Sequence, residues 1–372
     1  MTGTALIVAT VMPGFLTASL APRIRADFAF GDSALGVAIG VFYVVSAVGS
    51  IPAGRLIDRV GAGRGTALVA VTTGASCLGV AALAQSAAGL AALILLGGVG
   101  NALGSPTVST ILKREVAVHR QGLAFGAQQS GASLGALLAG LALPAVAIPL
   151  GWRWAFVGAA ALTLIAAACA PRAADPAAAG ARAARPRGLT SVHALGVAAV
   201  LASAAGVGFV SFLVTYAVDS GMSEGAAGLL LGAVSLMATC SRIGVGLFAD
   251  RAGQEPLRPV ATMLAASIAG YLLLIAGEPV VIALAALLAG ALGWAWPGGL
   301  NLAVVQRSPD SPAWAVGVMM TGLFTGAVVG PLLVGILAEH DLFTPAWITC
   351  ATFALLAAAT LMATRRWERR AV

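Results

Sequence analysis

An aspartate and an arginine stand side by side in two short strings of an otherwise apolar chain: GRLIDRVG at 54–61 and GLFADRAG at 246–253. They are one Gly-x-x-x-Asp-Arg-x-Gly pattern repeated 192 residues apart. Asp58 and Asp250 fall at helix C-termini, where the helix dipole disfavours an anion. Each therefore requires a partner, either a neighbouring arginine or the positive N-terminus of another helix. Gly54 and Gly246 lack a Cβ and let a second helix approach closely. A single copy reads equally well as a tight turn with arginines that only set topology. Two copies in register favour a specific helix contact built from Gly54, Asp58, Arg59, Gly61 and Arg64, and from Gly246, Asp250, Arg251 and Gly253.

Eight residues before Asp250, in SRIGVGLFADRAG, Arg242 lies inside an apolar run. At 1.5 Å per helical residue it stands about 12 Å from the membrane edge. An arginine at a span centre costs about 2.5–3.5 kcal/mol, less if it snorkels, which argues for a use. A planar guanidinium binds two oxygens of a carboxylate or nitrate at once. The alternative is an arginine that snorkels to the cytoplasmic face, or that pairs with a helix C-terminus as part of the same contact. Ser50 holds the matching position in the first copy, so duplication alone does not account for the charge.

The elements that must position these groups follow from composition. Of 372 residues, 59% are hydrophobic and 9% charged, against roughly a quarter charged in soluble domains, so this is a membrane protein. Its mean hydropathy is +0.97. Crossing an apolar layer about 30 Å thick takes about 20 residues of helix. Twelve such stretches fall near 3–21, 34–53, 65–84, 87–112, 121–146, 153–170, 192–217, 225–248, 257–276, 279–305, 313–337 and 343–364. The expected fold is an all-α membrane protein of twelve transmembrane helices in two pseudo-symmetric six-helix bundles.

Of the 21 basic residues, 17 fall in one set of alternating loops, and only Arg23, Arg25 and Arg153 fall in the other. Cytoplasmic loops carry the positive excess, so both termini are expected in the cytoplasm and the protein in the plasma (cytoplasmic, inner) membrane. This placement, without a basic stripe interleaved with aromatics, excludes a nucleic-acid partner. Residues 171–190, PRAADPAAAGARAARPRGLT, offer no apolar face and read as a cytoplasmic linker. The division is then 1–170 and 191–364 for the bundles, with 365–372 as a basic tail. Pro106 and Pro297, Gly131 and Gly322, and Gly135 and Gly326 recur at 191, and Trp154 and Trp347 at 193. Duplicated bundles around a midplane site are a transporter signature.

Cys77, Cys169, Cys240 and Cys350 lie far apart in apolar runs and read as small buried hydrophobes, not as a metal site or disulfide framework. His119, His193 and His340 fall in loops or at a span end, so no catalytic cluster is expected in the spans. No metal or cofactor is expected. The first apolar stretch has no basic segment before it and is expected to remain as a span.

With Gly54, Asp58, Arg59 and Gly61 after the second span, their copy after the eighth, and GWRWAF at 151–156, the chain resembles the major facilitator superfamily along all twelve spans. The resemblance implies alternating access, with each Asp-Arg loop latching the cytoplasmic gate against a helix of the other half. It departs from the family pattern at Ala62 and Gly63, where a basic pair is usual, and at Gln254 and Glu255. Gly326-x-x-x-Gly330-Pro331 resembles an exchanger motif but stands in the eleventh span, where ordinary close packing is the stronger reading.

By resemblance the first, fourth, seventh and tenth spans line the cavity. The substrate candidates are then Asn101, Ser105, Tyr216, Trp294, Trp296 and Asn301, with Tyr43, Gln128 and Gln129 from adjoining spans. GWAWPGG at 293–299 is the best cluster, since its proline and glycines break a helix and release backbone polar groups. The spacing of Arg242, Gly246 and Asp250 is similar to that of monocarboxylate transporters, nitrate/nitrite porters and oxalate/formate exchangers, where the eighth-span arginine binds the anion. No carboxylate lies within a span, which weakens proton coupling, and the fourth span lacks the arginine of drug-efflux relatives. The expectation is a secondary active or facilitative transporter of a small organic anion, working as a monomer in the lipid bilayer. Drug or metabolite efflux is the alternative, and a non-transporting sensor of the same fold is the reading from another class.

Overall fold

The computed structural model describes residues 2–20, 23, 24, 27, 32–170, 189–252, 256–338, 340 and 342–371. Most of the expected linker, Arg25, Gly253, Gln254 and Glu255 lie outside them. Every regular element among the described residues is helical. The helices of more than five residues among them are α1 (Thr2–Ser19), α2 (Asp32–Leu83), α3 (Ala87–Glu115), α4 (Gln121–Ala142), α5 (Trp152–Ala168), α6 (Leu189–Asp219), α7 (Glu224–Ala252), α8 (Leu257–Leu273), α9 (Pro279–Gly293), α10 (Trp296–Arg307), α11 (Pro312–Ala338) and α12 (Phe343–Ala371).

Among the described residues, ten helical stretches are long and apolar enough to cross a membrane. One of them, Gly40–Leu83, has 44 residues and room for two crossings, and the 17-residue apolar α5 supplies a further one. Twelve crossings follow. Within α2 the second and third spans join through Gly61, whose φ of 85° and ψ of 165° fit glycine and strain a residue bearing a Cβ. Gly61→Ala is expected to lower stability by about 1–3 kcal/mol, read as a lower thermal unfolding midpoint in detergent. The tenth span is interrupted. α9 stops at Gly293 and α10 begins at Trp296, because Pro297 has no N–H to return to the Gly293 carbonyl. At the start of α3 the Ser86 hydroxyl accepts the Gly89 N–H at 3.1 Å and caps the helix.

The chain forms two compact units. One comprises Met1–Val116, Gln128–Arg185 and Asp310–Gly317, and the other Ala117–Ala127, Pro186–Pro309 and Val318–Val372. In the first, Leu16, Phe42, Cys77, Ile94 and Phe156 are buried in one apolar cluster. In the second, Phe209, Leu213, Tyr271, Ala289 and Trp347 form the counterpart. Small residues set the helix spacing in both. A Cβ on Gly131 would stand 2.9 Å from Ile7 of α1, and one on Gly330 would stand 2.7 Å from Ala204 Cα of α6. The Gly-rich stripe of α11 is thus spent on packing against α6, as close approach in lipid requires.

One expectation is corrected. Cys77 and Cys350 are buried, but Cys169, just past the end of α5, and Cys240, on α7, are exposed, so only half of the cysteines serve the core. An apolar run in a membrane helix has a lipid face as well as a packed one, and hydrophobicity does not distinguish them. Trp154 and Trp347 also differ in setting, the first 58% exposed and the second fully buried.

Candidate functional site

The last turn of α2 before Gly61 carries Asp58 to the start of α11, within the first unit. Its carboxylate accepts the N–H of Ala313 at 3.1 Å and that of Trp314 at 2.8 Å. These are the second and third residues of α11, whose amide protons have no partner inside the helix. Asp58 thus takes the role of an N-cap side chain from another helix, with the dipole favouring its charge. One turn earlier, a Cβ on Gly54 would lie 2.8 Å from Trp314 Cα and from the Ala313 carbonyl carbon, so the glycine is what permits the approach. The positive charges of Lys113 and Arg114 also act on Asp58, and Asp310 acts on Lys113.

The second unit repeats the arrangement. Asp250, in the last turn of α7, accepts the Gly122 N–H at 2.7 Å and the Leu123 N–H at 2.8 Å, again the second and third residues of a helix, α4. A Cβ on Gly246 would stand 2.7 Å from the Gly122 carbonyl carbon and 3.0 Å from Leu123 Cα. The crossing continues a turn further in both copies, where Gly317 meets the Ser50 backbone and Gly126 meets the carbonyl of Arg242. Ser50 and Arg242 are the residues matched by the repeat.

Arg59, Arg64 and Arg251 are exposed, which suits arginines that set topology. Gly61 supplies the turn after the first copy, and Gly253 lies outside the described residues.

Arg242 is 4% exposed and does not snorkel. Its Nε donates to the Trp294 carbonyl at 2.9 Å, and its guanidinium carbon lies 5.0 Å from the Trp294 ring centroid. Trp294 caps the C-terminus of α9, so the break in the tenth span presents the carbonyl that orients the cation. Dipole, carbonyl and ring face all favour positive charge. The Trp294 ring sits against Gly206 of α6, and a Cβ on Gly298 would stand 2.9 Å from Gly126 Cα. The arginine therefore occupies the junction of α7, the α9–α10 break and the first turns of α4. Trp296, at the start of α10, is buried, and neither its indole N–H nor that of Trp294 has a hydrogen-bond partner among the described residues.

Several of the other candidates make contacts inside their own units. Tyr216 donates its hydroxyl to the Leu274 carbonyl, and its ring packs on Trp347 with centroids 5.0 Å apart, within the core of the second unit. Asn101 donates to Ser46 at 3.0 Å, joining α3 to α2 in the first unit. In the same unit Gln128 donates to the Ser109 hydroxyl at 3.1 Å and to the Ser105 carbonyl at 3.4 Å. Asn301 on α10 and Gln129 on α4 are buried, and Tyr43 is half-buried.

GWRWAF has its own chemistry at the start of α5. The Trp152 indole N–H donates to Asp27 at 2.7 Å and Arg153 pairs with the same oxygen at 3.0 Å. The indole N–H first, and Arg153 with it, hold the Asp27 carboxyl below its ordinary value. Arg23, Asp27, Trp152, Arg153 and Trp154 line an open cleft of about 580 Å3 at this end of the first unit.

Sequence reasoning missed Ala313, Trp314, Gly122 and Leu123, because a backbone N–H donor has no side-chain signature. It also missed Asp310 beside Lys113. The repeat spacing was the available signal: Gly122 and Ala313 stand 191 apart, as the fifth and eleventh spans do.

The family model for the Major Facilitator Superfamily matches residues 3–310 and 195–372. No curated protein sequence matches the chain significantly. Among solved structures, the chain is similar to the E. coli fucose:proton symporter FucP, at 15% identity and a TM-score of 0.77 over 98% of this chain and 97% of that one. It is similar to the human organic anion transporter MFSD10, at 17% identity and 0.75 over 97% of each. The proton:xylose symporter XylE matches at 16% identity and 0.72, over 97% of this chain and 95% of that one.

Proposed function

The chain belongs to the major facilitator superfamily and is a multi-pass membrane protein; from that premise we propose that it moves a small organic anion across the membrane by alternating access. The duplicated clamp carries the mechanism. Each Asp holds two amide protons of one helix N-terminus over a glycine surface. Such a contact closes or opens as a unit, because backbone donors need no side-chain rearrangement and a smooth glycine crossing leaves no interlocked side chains. Two six-helix halves rock about a central site, the clamps latch the cytoplasmic side, both termini face the cytoplasm of the plasma membrane, and a monomer suffices.

Arg242 supports the anion. Burying a guanidinium is costly, and the Trp294 carbonyl and ring offset part of that cost. A carboxylate reaching the junction of α7 and the α9–α10 break would offset more, with a bidentate geometry. FucP and XylE are sugar symporters by their descriptions and MFSD10 an organic anion transporter, so the shared fold accommodates either class. Drug or metabolite efflux is the competing reading, favoured by the bulk of Trp294 and Trp296 beside the break.

A thermal-shift screen of the purified protein against small carboxylates, inorganic anions, sugars and common drugs separates the two. A carboxylate at 100 times its Kd stabilises the folded state by about 2.7 kcal/mol. The anion reading predicts such a shift for at least one carboxylate and its loss in Arg242→Ala. Shifts confined to neutral or cationic drugs contradict it.

A further inference from the structure

The last turns of α12 divide their residues between two arcs. At about 100° per residue, Leu361, Thr364, Arg365 and Glu368 fall within one arc of about 100°. Arg366, Trp367, Arg369 and Arg370 fall within an opposite arc of about 160°. The surface follows this division: Leu361 and Thr364 are buried, Arg365 and Glu368 are half-buried, and the four residues of the second arc are exposed, Trp367 by 54%.

The inward arc is anchored. Arg307 at the end of α10 grips Glu368 with two nearly parallel bonds, Nε to Oε1 at 2.8 Å and a terminal nitrogen to Oε2 at 2.7 Å. The other terminal nitrogen donates to the Ala303 carbonyl at 3.1 Å. Ser191, near the start of α6, also hydrogen-bonds Glu368. Glu368 is the only acid between 361 and 371, and its charge is met on the inward side by Arg307. The outward arc therefore presents three guanidiniums and no carboxylate at the C-terminal end of a helix long and apolar enough to cross a membrane.

We propose that this arc, Arg366, Arg369 and Arg370 with Trp367, is a binding surface for anionic phospholipid headgroups, held in orientation by the Arg307–Glu368 pair. The phosphates of an anionic leaflet complement the three guanidiniums, which bind them with forked geometry. An indole at the end of a span is suited to the headgroup level, where its ring meets apolar chains and its N–H meets water. That exposed Trp367 favours a lipid surface over a soluble anion or an acidic protein. The surface lies apart from the transport site and does not rest on its assignment.

Native mass spectrometry of the full chain, with equal amounts of phosphatidylglycerol and phosphatidylcholine in detergent, tests the proposal. The native chain is expected to retain phosphatidylglycerol preferentially, with a loss of about fivefold in that preference for each arginine replaced by glutamine. The triple variant Arg366→Gln, Arg369→Gln, Arg370→Gln brings the ratio close to one, and Arg370→Gln alone gives a graded loss if the triple variant folds poorly. Glu368→Gln keeps every outward arginine but loosens the anchor, and is expected to lower the preference as well. Equal retention of both lipids by the native chain, an undiminished preference in the folded triple variant, or competition by an acidic peptide that leaves lipid selectivity independent of these arginines would overturn the proposal.

Discussion

Gly54→Leu and Gly246→Leu are each expected to reduce solute transport at least a hundredfold in proteoliposomes. At both positions the atoms that a Cβ would meet are backbone, the carbonyl oxygen of Ala313 or Gly122 nearest, and a backbone does not move aside as a flexible side chain does. The two helices must separate, and the Asp58 or Asp250 hydrogen bonds lengthen with them. Hydrogen bonds to a charged group contribute about 1.5–3 kcal/mol each. Losing two at one clamp shifts the balance between clamped and open states by a factor on the order of 100 to 10,000. Alanine in place of leucine adds only the Cβ and should fall between native and leucine rates. A leucine variant that transports at the native rate, with its thermal unfolding midpoint unchanged, excludes the clamp from the transport cycle.

Arg242→Ala is expected to weaken uptake and binding of the accepted anion by a factor on the order of 100 to 5,000, the scale of breaking a buried pair by removing one partner, about 3–5 kcal/mol. Arg242→Lys should recover only part of the loss. Lysine keeps the charge, but it cannot place one nitrogen on the Trp294 carbonyl, now met at 2.9 Å, and still present a planar fork to a carboxylate. The pattern across alanine and lysine separates a binding role from a packing role, since a residue needed only for charge tolerates lysine. Unchanged uptake in both variants removes Arg242 from the substrate site.

Much of the fold is legible in the sequence because a bilayer imposes length. An apolar run of about 20 residues has few alternatives to a spanning helix. Gly61 and the interruption around Pro297 are legible too, one as a glycine in a motif and the other as a proline between glycines. What the sequence leaves open is which face of each helix is packed. Cys240 and Cys350 sit in equally apolar runs, yet one is exposed and the other buried. Tyr216 and Asn101 stand out by type as polar groups in apolar spans, and the sequence does not reveal that their polar atoms bond to Leu274 and Ser46.

At the candidate site, Asp58 and Asp250 stand out because charge is scarce, whereas their partners are backbone amides whose identity only the folded crossing reveals. Arg242 is conspicuous for the same reason of scarcity. Its orientation by Trp294 depends on the helix break and has no signal in the residues around it.

Counterflow in proteoliposomes tests the account of alternating access latched by two Asp clamps most directly. Vesicles carrying the native chain are loaded with an unlabelled carboxylate and exposed to trace labelled solute, across a panel of small carboxylates. Asn at 58 or 250 keeps one acceptor oxygen and turns the other position into a donor facing a donor, so Asp58→Asn with Asp250→Asn weakens both clamps without changing their shape. The predicted result is transient accumulation of at least one labelled carboxylate by the native chain, and at least a tenfold lower exchange rate in the double variant at an unchanged unfolding temperature. No exchange of any solute by the native chain, or native exchange rates in the double variant, would contradict the account.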